Sequence, residues 1–544
     1  MSFTTQSSTA IGWANFLWDY AGGYPVPNPI DADLIRALND AQNGTNGAVP
    51  GGTIYFPPLT GGFNYSITGT HTITGACALV STGPQDVTIE FRPTGGVTTG
   101  SAFIITAPNV TMQGFTLNYE VSGPSTGSDN VAAIQVINTS GVLLRNLDIT
   151  NAFGGVDCIG SSMECEWMHI RKIQDPGVSP QMAFGFRAQP GSLTGSSLDG
   201  LVMKLRRCEP HLPATGAAGF ILASPYPEMA IQDSPASNGE FGFYVQAPTG
   251  SPTGNLGILR IRNSTAENDT YGLYADGGSV VQSSALMSDE CKTASVFLTS
   301  NFSGVASLAG DHYVSLGVNA IAGLAIGTTG SASSAMVGLI GSSIGTDDSS
   351  PPTGIAGIFA ALTSGGSLVA NASAGHKLNR TVEVGASGAG SVSLVGVAAG
   401  ATPNPLQVDM GVSGTVLMEG SPAAPADNVP SLPASGAIVG IHNSPSLTPA
   451  GFVHVAFPPL TATGGSQTNW SGFDALVYLQ DRSGGTSSLS GVTVGGINTG
   501  VESLGVNAMF PIMLPAGVTI GLTYLPAPTG IITGAPLAWT WMLQ

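Results

Sequence analysis

The sequence is poor in charged residues. Only 9% of its 544 residues are Asp, Glu, Lys or Arg, against about 25% in an average soluble protein. The 33 acidic and 15 basic residues give a formal net charge of −18. Nucleic acids and anionic membranes are themselves negatively charged, so this balance argues against general electrostatic binding to either.

Cysteines are also few, and long apolar runs are absent. The odd number of cysteines excludes a fully paired set of disulfides within one chain, and neither they nor the seven scattered histidines show metal-ligand spacing. The sequence therefore predicts no metal and no other cofactor. No run of about 18 apolar residues predicts a membrane-spanning helix. The amino-terminal MSFTTQSSTAIGW lacks a basic segment followed by an apolar core, so no secretory signal is expected.

What the sequence does contain is a repeated five-residue phrase in its middle part. The copies are GVDCI at 155–159, GFRAQ at 185–189, GFILA at 219–223, GFYVQ at 242–246, GLYAD at 272–276 and SVFLT at 295–299. The second position is always apolar: Val156, Phe186, Phe220, Phe243, Leu273 and Val296. Apolar residues at alternate positions indicate half-buried strands. Recurrence every 23 to 34 residues predicts a solenoid with stacked coils whose second-position side chains line one dry interior.

The start of this region resembles a known superfamily. Residues 31–43, DADLIRALNDAQN, predict a short amphipathic helix with Asp31 as its N-cap. The helix leads into GGTIYFPP at 51–58, a turn, strand and proline stop. This combination resembles the beginning of the pectin-lyase-like right-handed parallel β-helix, which bacteriophage tailspikes and many polysaccharide-acting enzymes use. The resemblance covers about residues 31–380 and implies an all-β fold with a short N-terminal capping helix.

The two ends of the chain differ from this central part. Residues 1–30 are rich in aromatic side chains and are expected either to anchor the protein on a partner or to cap the solenoid. Residues 381–430 are expected to form late coils and a linker. For the whole stretch from about 300 to 430, where the periodicity weakens, strands interwound between subunits are the alternative. Residues 431–544 contain strand runs such as ALVYLQD and AWTWML between Gly, Pro and Ser turns. That pattern predicts a C-terminal β-sandwich of the jelly-roll kind.

The outward positions of the repeat are the candidates for ligand binding. The third and fifth positions place aromatic rings beside amide and charged groups: Asp157, Arg187, Gln189, Tyr244, Gln246, Tyr274 and Phe297. Aromatic faces flanked by hydrogen-bonding groups suit the apolar face and the hydroxyls of sugar rings. The alternative is that these side chains pack against a loop or a neighbouring subunit.

Candidate catalytic residues are three carboxylates in the segment AENDTYGLYAD. Glu267, Asp269 and Asp276 flank the predicted aromatic column, and glycoside hydrolysis uses two carboxyl groups about 5–10 Å apart. The alternative is that they form turns. The Gly-His-Gly that follows an adjacent Asp-Asp pair in polygalacturonases is absent, as is a pectate-lyase-like Ca²⁺-binding Asp cluster. The sequence therefore favours a protein without enzymatic activity.

These observations favour a spike or fibre protein of a virus particle that recognises host surface polysaccharide. The composition is typical of an exterior protein, and both ends differ from the coils. The expected partners are a host glycan and other virion structural proteins, and the expected location is the virion surface or the extracellular space. A homotrimer is implied by the resemblance to tailspikes. The alternatives are a polysaccharide depolymerase on the same fold and a cell-surface adhesin.

Overall fold

The structure is a computed structural model. It describes residues 13–20, 30–46, 48, 50–60, 63–92, 100–119, 132–171, 182–212, 216–247, 257–277, 279–314, 316, 320–345, 356–371, 374–376, 378, 380–385, 388–399, 404–408, 414–419, 438–442, 466–468, 475–481, 488–500, 509–515, 518–525 and 537–543. The chain forms two compact units. The first comprises residues 1–297, 304–306 and 311–317, and the second comprises 298–303, 307–310 and 318–544.

The first unit consists of stacked coils whose strands form parallel sheets. Sheet A contains Trp13–Asn15, Thr53–Phe56, Tyr65–Ile67, Ala78–Ser81, Thr88–Phe91, Thr111–Gln113, Thr116–Tyr119, Val142–Thr150, Met163–Arg171, Val202–Pro210, Glu228–Gln232, Gly257–Arg262 and Ser279–Ser284. Sheet B contains His71–Ile73, Phe103–Ile105, Ala132–Ile137, Gly154–Ile159, Ala183–Gln189, Ala217–Ala223, Phe241–Gln246 and Tyr271–Ala275. Sheet C contains Pro235–Ser237, Thr265–Glu267, Met287–Asp289 and His312–Val314. In the earlier coils, one or two sheet A strands are followed by a sheet B strand, and from Glu228–Gln232 onward the chain visits A, C and B in turn. This arrangement is a right-handed parallel β-helix, as predicted.

The predicted interior ladder is confirmed. Parallel register pairs Val156 with Phe186, Phe186 with Phe220, Phe220 with Phe243, and Phe243 with Leu273. These side chains and that of Val296 are fully buried. The three phenylalanine rings stack nearly parallel, with centroids 5.5 and 5.2 Å apart. Each buried phenylalanine contributes about 1.5–3 kcal/mol of hydrophobic stabilisation, and none of it is available to a coil without its neighbours.

The amino-terminal part packs on the first coil. Strand Trp13–Asn15 pairs in parallel with Thr53–Phe56, and a single π-helical turn follows at Phe16–Tyr20. Phe16 is buried and stacks on Phe56, with ring centroids 4.8 Å apart. The contacts of residues 13–20 therefore agree with a cap on the solenoid, one of the two roles expected for this segment. The anchoring alternative concerns contacts outside this chain.

The helix predicted from residue 31 spans Asp31–Asn43, but its N-cap is Ile30. The Asp31 carboxylate instead accepts hydrogen bonds from the backbone N–H groups of Thr68 and Gly69 and lies 2.9 Å from His71 Nε2. The prediction of Asp31 as cap was wrong, because its side chain reaches a neighbouring turn. A 3₁₀ turn at Gly195–Leu198 lies further along the chain.

The second unit also contains parallel coils. Its strands are Met336–Ile340, Ser367–Asn371, Ser391–Val395, Thr415–Glu419 and Ile438–His442 in one sheet, Ala322–Ile326, Ala356–Ala360, Arg380–Val384 and Asn404–Val408 in another, and Ser343–Gly345, Ala374–His376 and Ala398–Ala399 in a third. Strands Ala294–Leu298 and Val305–Ala309 include residues of both units. Ile438–His442 pairs in parallel with Thr415–Glu419, so parallel pairing extends beyond residue 431, where the sandwich was expected to begin.

Antiparallel pairing occurs in the last part of the second unit. One sheet contains Ser466–Thr468, Thr519–Leu525, Ser488–Val494 and Ile497–Asn498, and the other contains Met509–Leu514, Ala475–Asp481 and Leu537–Leu543. Two antiparallel sheets are the components of a sandwich. Their face-to-face packing and the four-segment division of the chain stay predictions.

Candidate functional site

A glycine opens five of the six repeats and packs against the next coil. A Cβ atom on Gly155, Gly219 or Gly242 would lie 2.4, 2.6 or 2.7 Å from the carbonyl oxygen of the glycine in the following coil. A carbon atom and an oxygen atom that are not bonded do not approach this closely, so one of the two coils would have to move. At these three positions only glycine therefore allows the observed approach to the next coil.

The strand changes direction at this glycine, and the change exposes a second set of aromatic residues. In a flat strand, Phe241 and Phe243 would share one face because they are two residues apart. Phe243 instead lies in the interior ladder, while Phe241 stacks on the outward Tyr244 at 4.7 Å. Tyr271, which precedes Gly272, does the same and stacks on Phe241 at 5.6 Å.

Five rings consequently form a continuous cluster on the outer side of sheet B. We call it the aromatic patch and define it as Phe241, Tyr244, Tyr271, Tyr274 and Phe297. Tyr274 contacts Tyr244 at 5.6 Å, Tyr271 at 5.0 Å and Phe297 at 5.4 Å. The two phenylalanines are each 7% exposed, and the three tyrosines are partly exposed. The phenylalanines therefore form a base on which the tyrosines present ring surface and hydroxyls.

Carboxylates adjoin the tyrosines of the patch. Burial, followed by the nearby charges of Asp276 and Glu240, raises the pKa of Tyr244 to about 12. The pKa of Tyr274 is also raised to about 12, first by burial and then by Asp276. Both hydroxyls are therefore protonated at neutral pH and can donate as well as accept hydrogen bonds.

Gln246, the last residue of its strand, and Asp276, which follows the next sheet B strand, occupy equivalent places in successive coils. The Asp276 N–H donates to the carbonyl of Val245, immediately before Gln246. Both side chains are partly exposed. The patch thus has an amide and a carboxylate at one end and the Glu240 carboxylate near its tyrosines.

Three other predicted ligand-binding residues contact one another. Arg187 donates to Asp157 through Nε at 3.1 Å and Nη2 at 2.6 Å, and Gln189 Nε2 donates to Asp157 Oδ2 at 2.8 Å. Asp157 is fully buried, and the Arg187 guanidinium lies 4.2 Å from the Phe184 ring centroid. In this structure their hydrogen-bonding capacity is used internally, so they support the sheet beside the patch.

The structure separates Asp276 from the other two predicted catalytic carboxylates, whereas Glu267 lies close enough to Asp269 for its charge to help raise the pKa of that carboxyl. Asp269 and Asp276 lie beyond opposite ends of strand Tyr271–Ala275, whose five residues span about 17 Å. Catalytic carboxyl pairs lie about 5–10 Å apart. Glu267 is exposed at the end of a sheet C strand.

Asp269 is buried in the corner between sheets C and B. Its Oδ1 accepts the Gly239 N–H at 2.6 Å, while Oδ2 has no hydrogen-bond partner within the described residues. Burial raises the pKa of this carboxyl to about 7. With no exposed surface, Asp269 cannot touch a polysaccharide in this conformation.

Sequence reasoning missed Phe241, Tyr271 and Glu240. The signal for the two aromatic residues was present, since each immediately precedes the glycine of a repeat. For Glu240 the sequence held no signal, because its position depends on how the coil turns before Phe241. Within the described residues, no group of three or more His, Cys, Asp or Glu side chains could hold a metal ion. None of the described helices combines the length and apolarity needed to cross a membrane.

The fold and this site define a parallel β-helix protein with an aromatic outer face. Neither the scan against protein-family models nor the search of curated proteins found a match. Among solved structures, tailspike protein 3 of bacteriophage CBA120 matches with a TM-score of 0.49 and 11% identity over 73% of this chain and 59% of that one. A tailspike mutant of E. coli bacteriophage HK620 in complex with a pentasaccharide matches with a TM-score of 0.45 and 13% identity over 94% and 93%. The catalytic unit of an α-1,3-glucanase from Streptomyces thermodiastaticus matches with a TM-score of 0.46 and 13% identity over 80% and 70%. The fold assignment rests on the strand pairing described above.

Proposed function

We propose that this protein binds a host surface polysaccharide through the aromatic patch and acts as a spike or fibre on a virus particle. The observation that carries the proposal is the cluster of five outward rings on successive coils of sheet B, with hydrogen-bonding groups at its border. Sugar rings have apolar faces and polar edges, which match an aromatic surface bordered by hydroxyl, amide and carboxylate groups.

The patch suits a chain of linked sugars more than a single small molecule. Its rings come from three successive coils, and neighbouring strands of a sheet lie about 4.8 Å apart. Contacts to linked sugars can therefore repeat from coil to coil. Tyr244 and Tyr274 occupy equivalent positions in paired strands.

We propose a homotrimer on the virion surface, with other virion structural proteins as partners. This part rests on the resemblance to tailspikes and on the exterior-type composition. Sedimentation equilibrium of the full chain tests it: a mass three times 54.7 kDa is expected. A monomeric mass at micromolar concentration would contradict the trimer.

Glycan binding is tested with polysaccharides purified from candidate host surfaces. Replacing Tyr274 by Ala removes ring contacts at the centre of the patch, so the affinity should fall about tenfold or more. The control is Phe63→Ala, because Phe63 is 48% exposed and is not part of the patch. If Tyr274→Ala binds every polysaccharide as tightly as the parent does, the patch is not the binding site.

Depolymerase activity is the second candidate. The observation in its favour is that Glu240 and Asp276 are both close enough to raise the pKa of Tyr274. We expect binding without release of reducing ends, because the carboxylates Asp269 and Asp276 are far apart. Product formed by the parent but not by Asp276→Asn would establish the enzyme instead.

A further inference from the structure

A second surface, on the outer side of sheet A, has the opposite electrostatic character to the whole protein. It is a groove of about 230 Å³ whose lining includes Lys204, Arg206, Arg260 and Arg262. These are four of only 15 basic residues in a chain with a net charge of −18. Such a concentration of cations on an acidic protein indicates a site for an anionic ligand.

Strand register arranges the four cations in a regular array. Lys204 pairs with Ala230 and Ala230 with Arg260, while Arg206 pairs with Gln232 and Gln232 with Arg262. Each row therefore has cations two strands apart, about 10 Å, and the rows are two residues apart, about 7 Å. The small side chain of Ala230 leaves the space between Lys204 and Arg260 open.

Two of the cations are already paired, and this pairing orients them. Arg260 donates to Glu228 at 2.8 Å and to Gln282 at 3.1 Å. Arg206 lies 3.7 Å from Glu166, which also pairs with Arg145.

The other two cations have no such partner. Lys204 and Arg262 are exposed, and neither forms an ion pair within the described part of the chain. Taking the groove with its paired neighbours, five cations face the carboxylates Glu164, Glu166 and Glu228 and that of Asp233, which accepts a hydrogen bond from Gln232. One positive charge is left uncompensated. An anionic ligand would complete this balance.

The edge of the groove carries an aromatic ring in an unusual backbone conformation. Trp167 follows Glu166, has φ of 58° and is 42% exposed. Asn146, at the equivalent position after Arg145, and Asn263, after Arg262, also have positive φ. Asn tolerates this conformation far better than a bulky residue such as Trp does. The Arg207 guanidinium stacks 4.2 Å from the Trp167 ring centroid. A strained, exposed ring beside a charged groove is a feature that functional sites retain.

We propose that this basic groove binds an acidic polysaccharide segment, with anionic groups on alternate sugars meeting the rows of cations and Trp167 providing a stacking surface at the edge. The spacing of about 10 Å across each row is close to the repeat of a disaccharide. The site lies on sheet A, while the aromatic patch lies on sheet B, so the two proposals stand or fall separately. Nucleic acid is the competing occupant, and single-stranded DNA is therefore included in the test.

The test uses the full chain and four probes: oligogalacturonate as a carboxylate, dextran sulfate as a sulfate, neutral dextran, and single-stranded DNA as a phosphate polyanion. Titration calorimetry should show binding of an acidic probe that weakens as salt rises, and no binding of neutral dextran. The difference between the two acidic probes identifies which anion the groove prefers. The double variant Lys204→Gln/Arg262→Gln should lose roughly 100-fold in affinity, about tenfold for each charge-assisted contact. These two side chains are exposed and unpaired, so their loss leaves no buried charge behind.

The matched control is Arg171→Gln/Lys292→Gln, which changes the net charge equally at exposed positions outside the groove and should bind like the parent. Tyr274→Ala should also bind the acidic probe normally, even if it loses binding at the aromatic patch. Equal affinity of the Lys204/Arg262 variant and the parent for both acidic probes would overturn the proposal. Tighter binding of single-stranded DNA than of either acidic polysaccharide, or a changed oligomeric mass in the Lys204/Arg262 variant, would also overturn it, in favour of a general polyanion site or a subunit contact.

Discussion

The buried ion pair between Asp157 and Arg187 gives the sharpest test of how sheet B is held together. Asp157 has no exposed surface and receives three hydrogen bonds, two from Arg187 and one from Gln189. The Arg187 side chain is 12% exposed and is covered on one face by Phe184. The change Asp157→Ala removes the carboxylate that accepts two hydrogen bonds from the largely buried guanidinium.

The expected loss of stability is about 3–5 kcal/mol, because the remaining charge keeps its desolvation cost. The combined change Asp157→Leu with Arg187→Met removes both charges and fills the space with apolar groups. Its expected effect is within about 1 kcal/mol of the parent, or stabilising. The pair therefore matters for stability mainly when it is broken on one side.

The measurement is unfolding in guanidinium chloride, followed by far-UV circular dichroism, with both unfolding rates and midpoints recorded. Large proteins often unfold irreversibly, and the unfolding rate then measures stability better than an equilibrium midpoint does. The control is Asp33→Ala, which breaks the exposed Arg36–Asp33 pair and should cost less than 1 kcal/mol. A double variant that unfolds as fast as Asp157→Ala, or an Asp157→Ala chain as stable as the parent, would refute the reasoning.

Further predictions concern the glycine column, a buried carboxyl and the thiols. Gly242→Ala should destabilise the protein by roughly 1–3 kcal/mol in thermal unfolding, since the added methyl meets the Gly272 carbonyl, whereas Gly338→Ala, with open space around it, should be nearly neutral. The pKa of Asp269 is raised to about 7 in the folded state, so the folded protein holds this proton more tightly than the unfolded chain, and raising the pH from about 4 to about 7 should reduce stability. Asp269→Asn should remove that reduction, and an unchanged pH profile of the variant would contradict the assignment. All five cysteines are free and buried, and burial raises the pKa of Cys77 and Cys291 to about 12. A thiol reagent should therefore modify none of the five in the native protein and all of them after unfolding; rapid modification of the native protein would show that a coil opens.

The repeat allowed the buried residues of the coils to be predicted from the sequence. Alternation of apolar and polar residues fixes which side chains of a strand share a face, and recurrence fixes which of them stack. Val156, Phe186 and Phe220 were predicted to lie in one column, and they do. The N-cap prediction failed at Asp31, because its partner turn is 37 residues away and no local rule contains that distance.

The residues on the outer face of sheet B could be predicted only in part. Tyr244 and Tyr274 were expected to point outward, but Phe241 and Tyr271 join them only because the strand bends at the glycine between the two sets. Asp157, Arg187 and Gln189 have the residue types of a binding site, yet they satisfy one another. Whether a polar group serves a ligand or a neighbour depends on coil spacing, which a linear pattern does not specify.

What the sequence determined by itself is therefore the coil. A period of two within strands and a longer period between them leave a chain of this composition few ways to bury its apolar residues other than stacking. What only the tertiary structure decided is the chemistry of the surfaces: the rings gathered on sheet B, the separation of Asp269 from Asp276, and the cations aligned across sheet A. Burial is set by local alternation and needs little precision, whereas a binding surface needs particular side chains from several coils within a few ångströms of one another, and only the register of the folded chain brings them there.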